Sequence, residues 1–205
     1  MRKTVIATLC IVLMASLAWA QAAKDQSKAG GAAKPAAKSA APAPQAPKPA
    51  PEVKRLAYLV GNWTSEGTMQ PGPFGPGGKW TGRERNEWMQ GGFFVVSNGQ
   101  MTAPAPMGTG KGMAIFGYNA DKKMYTYNGF NSWGEAEYST GTVNGADWTW
   151  TSDSSFMGQP YKARFSMHED SPTAYTMKFE MSNDGGKTWK MMMDGKAKKA
   201  GAAAK

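Results

Sequence analysis

The sequence predicts an all-β fold: an antiparallel up-and-down barrel of about ten strands, with one short helix ahead of it. Three observations carry this reading. Turn signals recur roughly every 8–12 residues, the spacing of sandwiches and barrels. They include Asn98-Gly99, Asn119-Ala120-Asp121, Asn131 to Gly134, Asn144-Gly145 and Asp184-Gly185-Gly186. Between them apolar and polar residues alternate. In "YKARFSMHE", Tyr161, Ala163, Phe165 and Met167 stand against Lys162, Arg164, Ser166 and His168. Successive strand side chains point to opposite faces, so a period of two marks a half-buried strand. No strand–helix alternation appears, so the strands form a meander, and closing a meander into a barrel removes its exposed edges.

Along the chain, residues 1–20 read as a signal peptide. Arg2 and Lys3 precede the apolar run from Val5 to Leu17, and Ala18-Trp19-Ala20 is a small-x-small cleavage site. The expected location is secreted or periplasmic. Cys10, the only cysteine, lies inside that segment. The processed chain then has no thiol for disulfides or metal ligation and depends on burial for stability. Residues 21–52 are rich in Ala, Pro and Lys without an aromatic residue, which predicts a disordered linker with extended proline-rich stretches. The helix is "PEVKRLAYLVG", with Leu56, Leu59 and Val60 on one side and Gly61 ending it.

The predicted strands follow at 62–69, 79–89, 92–101, 111–118, 123–131, 134–143, 146–152, 160–168, 173–182 and 187–194. Residues 53–195 are therefore read as the barrel domain. The final "KAKKAGAAAK", residues 196–205, is read as a basic disordered tail.

The formal net charge of +9 belongs to the ends of the chain. Between Val53 and Gly195 there are thirteen basic and thirteen acidic residues. A basic protein suggests a nucleic-acid partner only when its cations gather on the folded part, so no nucleic acid is expected. The Lys-rich ends suit acidic envelope polymers instead. After the signal peptide no apolar run approaches the ~20 residues a membrane helix needs, so no transmembrane segment is expected in the processed chain.

"SNDGGKTW", Ser182 to Trp189, fits the Asp-box known from the blades of sialidase-type propellers. A propeller repeats its blades, and this chain has a single copy. The motif is better explained as a hairpin turn, with the Asp184 carboxylate accepting from backbone N–H groups and two glycines permitting positive φ.

Candidate chemistry is sparse. Glu135 and Glu137 share strand parity, and an i, i+2 carboxylate pair about 7 Å apart falls within the separations used in glycoside hydrolysis; they are the catalytic candidates. Glu84 beside Arg83 and Arg85 is a second charged group. His168, the only histidine, is the one candidate metal ligand, followed by a charged turn. Thirteen methionines follow the signal peptide, most at apolar strand positions, where Met serves as adaptable filler. No cofactor is expected. The aromatics Tyr125, Tyr127, Trp133, Trp148 and Trp150 offer apolar faces with polar handles, which suits an amphiphilic ligand.

Finally, "LAYLVGNWTSEGT" opens like the calycin barrels, lipocalins and fatty-acid-binding proteins among them: a helical turn, then Gly61-Asn62-Trp63, then the first strand. With "GGFFVVSN", "GKGMAIFGYNADKKMYTYNGF", "TGTVNG" and "SNDGGKTW", the order resembles an exported bacterial lipocalin-like family of unknown function. The resemblance implies a calycin-like barrel with an interior cavity. It also implies that Trp63 plugs the closed end, with Arg164 as the arginine set against it. The expected ligand-binding residues are Trp63, Arg83, Tyr125, Tyr127, Trp133, Trp148, Trp150 and Arg164, holding a small apolar or amphiphilic molecule without catalysis. Two alternatives stand beside this: an envelope hydrolase working through strand carboxylates on carbohydrate or lipid, and a structural protein that binds the envelope through its basic tails.

Overall fold

Val53, Leu56 and Leu59 recur every third residue, and a 3₁₀ helix, with three residues per turn, sets all three on one line. In the computed structural model, which describes residues 46–201 except Phe74 and Met157, Pro51–Leu59 takes that form and buries all three side chains. The expected signal peptide, most of the expected linker and the end of the expected tail lie outside the described residues.

Ten strands follow: β1 Gly61–Met69, β2 Gly78–Trp88, β3 Val95–Thr102, β4 Thr109–Asn119, β5 Met124–Asn131, β6 Ala136–Asn144, β7 Asp147–Phe156, β8 Gln159–Ser171, β9 Ala174–Ser182 and β10 Lys190–Lys199. Each pairs antiparallel with its neighbour in sequence, and β1 also pairs with β10, so the sheet is a closed barrel. The register runs from Trp63 opposite Lys199 to Met69 opposite Met193. Lys196, Lys198 and Lys199, expected in a disordered tail, are thus strand residues that help close the barrel. Charge alone suggested a tail there. Ala197, at 1 % exposure, shows that the alternation continues beneath it.

The meander places its turns alternately at the two ends. One end is shut. Trp63, Leu56, Val95 and Trp148 are fully buried there. The Trp63 indole N–H donates to Leu59 O (2.8 Å) and the Tyr125 hydroxyl to Glu52 O (3.1 Å), while the Tyr58 hydroxyl lies within 3.0 Å of Ser171 O and 2.8 Å of Ala174 O. These bonds satisfy helix and turn carbonyls that burial would otherwise leave unpaired. Arg55 bridges Glu169 (2.6 Å) and Gly145 O (3.0 Å), tying the helix to β8 and to the β6–β7 turn. At the other end lie the loops 70–77, 103–108, 132–135 and 183–189. Just inside them Trp80 spans β1, β2 and β10. Its ring occupies the space that a Cβ on Gly67 or Gly195 would need, and its indole N–H donates to Asp194 O (3.1 Å).

Candidate functional site

Parity decides which side chains enter the lumen. On β2 the inward set is Trp80, Gly82, Glu84 and Asn86, so Arg83 and Arg85 face outward. On β5 to β7 the inward residues include Tyr125, Tyr127, Glu137, Ser139, Trp148, Trp150 and Ser152. Several inward side chains keep accessible surface although the closed wall surrounds them: Glu84, Met101, Phe116, Tyr127, Phe165 and Phe179. These positions leave accessible surface on the inner side of the wall.

That inner side carries an aromatic column. Trp148 stacks on Trp150 (centroids 5.4 Å apart, 19° between planes), and Trp150 lies 6.1 Å from both Phe116 and Phe165. Phe116 meets Tyr127 edge-on at 5.1 Å. Tyr125 reaches Trp148 at 5.5 Å and Tyr118 at 5.0 Å. The structure therefore gathers Tyr125, Tyr127, Trp148 and Trp150, four of the expected ligand-binding residues, on one side of the lumen. Trp150 Nε1 is buried without an acceptor, and an unpaired buried N–H is costly.

Polar groups interrupt this apolar lining. Glu84 and Glu137 both point inward. Burial raises the pKa of each above the ordinary carboxylate value, because desolvation penalises the charged form. The Ser139 hydroxyl donates to Glu137 Oε1. The Tyr127 phenol is pushed up by burial first, then by the charges of Glu137 and Glu84. Asn86 is 4 % exposed; its Nδ2 donates to Leu59 O (3.0 Å), and its Oδ1 has no donor. Glu84 and Asn86 carry the strongest polar signal in the lumen. The sequence reading missed them; their shared parity with Trp80 is the signal that could have shown them.

The remaining expected residues lie elsewhere. Trp63 belongs to the shut end. The cation over its ring is Lys199, with Nζ 5.1 Å from the centroid. Arg164, the arginine expected there, faces outward, paired with Glu180 (2.7 Å) and stacked 4.2 Å over Trp189. Strand parity is the physical reason: position 164 alternates with the inward Ala163 and Phe165. Arg83 is also outside, donating to Gln100 Oε1 (3.0 Å). It sits between two shallow depressions of the outer wall, of about 610 and 550 Å³, which Lys196, Lys198 and Lys111 also help to line.

Glu135 and Glu137 do not form a facing pair. Glu135 precedes β6, exposed, and its carboxylate accepts from Asn131 Nδ2 (2.7 Å), whereas Glu137 faces the lumen. His168 is an exposed residue beside Asp147 (2.6 Å). Its pKa is raised, first by that hydrogen bond. Among the described residues no cluster of three or more His, Cys, Asp or Glu is placed to hold a metal, and no helix is long and apolar enough to cross a membrane.

Trp133 guards the loop end. Asn131 Oδ1 accepts from the backbone N–H of Trp133 (3.0 Å) and of Glu135 (3.2 Å), and the indole N–H donates to Met107 O (3.1 Å). The ring lies on Gly110, where a Cβ would collide with it. Also at the loop end, the Asp-box is a turn. Asp184 accepts from Lys187 N (3.0 Å), Thr188 N (3.0 Å) and Thr188 Oγ1 (2.6 Å), and these bonds hold its carboxyl well below the usual range.

Comparison with solved structures supports the fold alone. The crystal structure of Rv2717c from M. tuberculosis matches with a TM-score of 0.52 at 13% identity, covering 75% of this chain and 99% of that one. A structure of EF1p2_mFAP2b bound to DFHBI shares 13% identity over 72% of this chain and 98% of that one, with a TM-score of 0.38, too low to carry an argument. No curated protein matches the sequence. The sequence pattern of one family does match, over residues 48–199, which takes in the helix and all ten strands; the chain belongs to that family, described as "Protein of unknown function (DUF1579)".

Proposed function

We propose that this protein is a calycin-like carrier: an exported barrel that holds a small apolar or amphiphilic molecule in its lumen without chemical change. One observation carries the reading. Inward-facing side chains between the shut end and the Trp133 loop retain accessible surface, and they combine aromatic rings with a few isolated polar groups. Ligand pockets have this composition, largely apolar with a few placed polar atoms. Export is supported by the basic start, apolar run and small-x-small site at the N-terminus.

The test is native mass spectrometry of the protein purified from its own host, alongside Met101→Trp. Met101 points inward and is half-buried, so indole fills the lumen. A co-purifying lipid-sized mass that disappears in the filled variant supports the reading. Binding that survives the filling places the ligand outside the barrel and ends it.

A further inference from the structure

Among the described residues, the charged side chains that point into the barrel are Glu84, Glu137, Glu169 and Lys199. Two of these are accounted for. Glu169 pairs with Arg55 and accepts from the Trp148 indole N–H (2.6 Å). Lys199 lies over the rings of Trp63 and Tyr58 at the shut end. Glu84 and Glu137 remain, and neither has a cation: the ion pairs of the described residues involve other acids. A buried carboxylate without a counter-charge is among the costliest arrangements in a protein, and both acids have pKa values raised chiefly by desolvation.

A second observation points the same way. Asn86 is inward-facing and nine-tenths buried. Its amide orientation is fixed, because Nδ2 is committed to Leu59 O. The carbonyl Oδ1 is left without a donor, beside the Glu84 carboxyl, to which the Asn86 amide also hydrogen-bonds. At this part of the lumen one buried acceptor lacks a donor and two acids lack a cation. A guest suited to it brings N–H groups and positive charge, since charge-assisted N–H···O bonds are about twice as strong as neutral ones.

We infer that the lumen receives a cationic amphiphile of the alkylammonium type. Its positive head sits against Glu84 and Asn86, with Glu137 as a second acidic wall, and its apolar part lies along Phe116, Trp150 and Phe165. The inference rests on the carrier reading and narrows it to one ligand class. The competing account has a neutral Glu84 donating its own proton to Asn86 Oδ1, which completes the lumen without a guest and gives no preference for charge.

The experiment compares decylammonium, decanol and decanoate by calorimetric titration of the full chain at neutral pH. The expected result is decylammonium binding at least about tenfold tighter than decanol, the size of effect one charge-assisted contact supplies, with decanoate weakest. In Glu84→Gln combined with Glu137→Gln, the ratio of decylammonium to decanol affinity falls to about one, and a thermal melt confirms the variant is folded. Equal affinities, a preference for decanoate, or a preference that survives the double substitution overturns the inference and leaves the carrier reading standing. Failure of all three to bind removes both.

Discussion

The two ends of the barrel solve opposite problems with the same residue type. At the shut end tryptophan is structural: Trp63 and Trp148 are fully buried, and both indole N–H groups are spent on partners close by, Leu59 O and Glu169. At the loop end, Trp133 comes from a four-residue turn, stays partly accessible, and is held by Asn131, Met107 and a glycine floor. The first arrangement anchors a core. The second lies on a glycine surface at the rim, partly open to solvent. Full burial and partial exposure of tryptophan are thereby separated along the barrel axis.

The sharpest way to break this contrast is Trp63→Ala. Removing a fully buried indole costs about 3–5 kcal/mol in transfer and cavity terms, read by urea unfolding. A cost below about 1 kcal/mol would mean that the shut end is not the anchor. Gly110→Val attacks the other end. The new side chain displaces Trp133, so a smaller penalty is expected, near the low end of the roughly 1–3 kcal/mol of overpacking, together with greater accessibility of tryptophan to an aqueous quencher. A penalty matching Trp63→Ala would erase the distinction between the ends.

Between them, Glu84→Gln probes the lumen. The Glu84 pKa is raised in the folded state, so the folded protein binds this proton more tightly than the unfolded chain does. Stability therefore falls as pH rises from the ordinary carboxylate value through the folded one. Substitution by Gln is expected to raise the melting temperature at neutral pH, and the gain is expected to vanish below the ordinary carboxylate value. The smallest effect belongs to the surface. His168 is raised by Asp147, so this pair contributes stability below the ordinary histidine pKa and loses it as pH rises through the folded value. In an NMR titration, Asp147→Asn should return His168 toward its ordinary value with little change in melting temperature.

How much of this was legible beforehand varies by level. All ten strands and the helix could be read from turn spacing and alternation. The β10 end was missed, because a Lys-rich stretch reads as a solvated tail until Ala197 is seen packed between two outward lysines. Tyr125 with Tyr127, and Trp148 with Trp150, were recognisable as aromatics sharing one face of a strand, but parity alone could not say which face was inside. Arg164 was misassigned through the resemblance, although its own parity with Lys162 placed it outside.

The sequence by itself determined the local chemistry: which residues turn, which alternate, and which face of each strand is apolar. Those properties depend on neighbours along the chain and on backbone geometry with a fixed period. Only the tertiary structure decided that the wall closes through β1 and β10, that Lys199 rather than Arg164 covers Trp63, and that Glu84 and Glu137 face the interior without an ion pair among the described residues. Each is a relation between residues far apart in sequence, set by how the strands curl and by their register, and no period in a single strand encodes it.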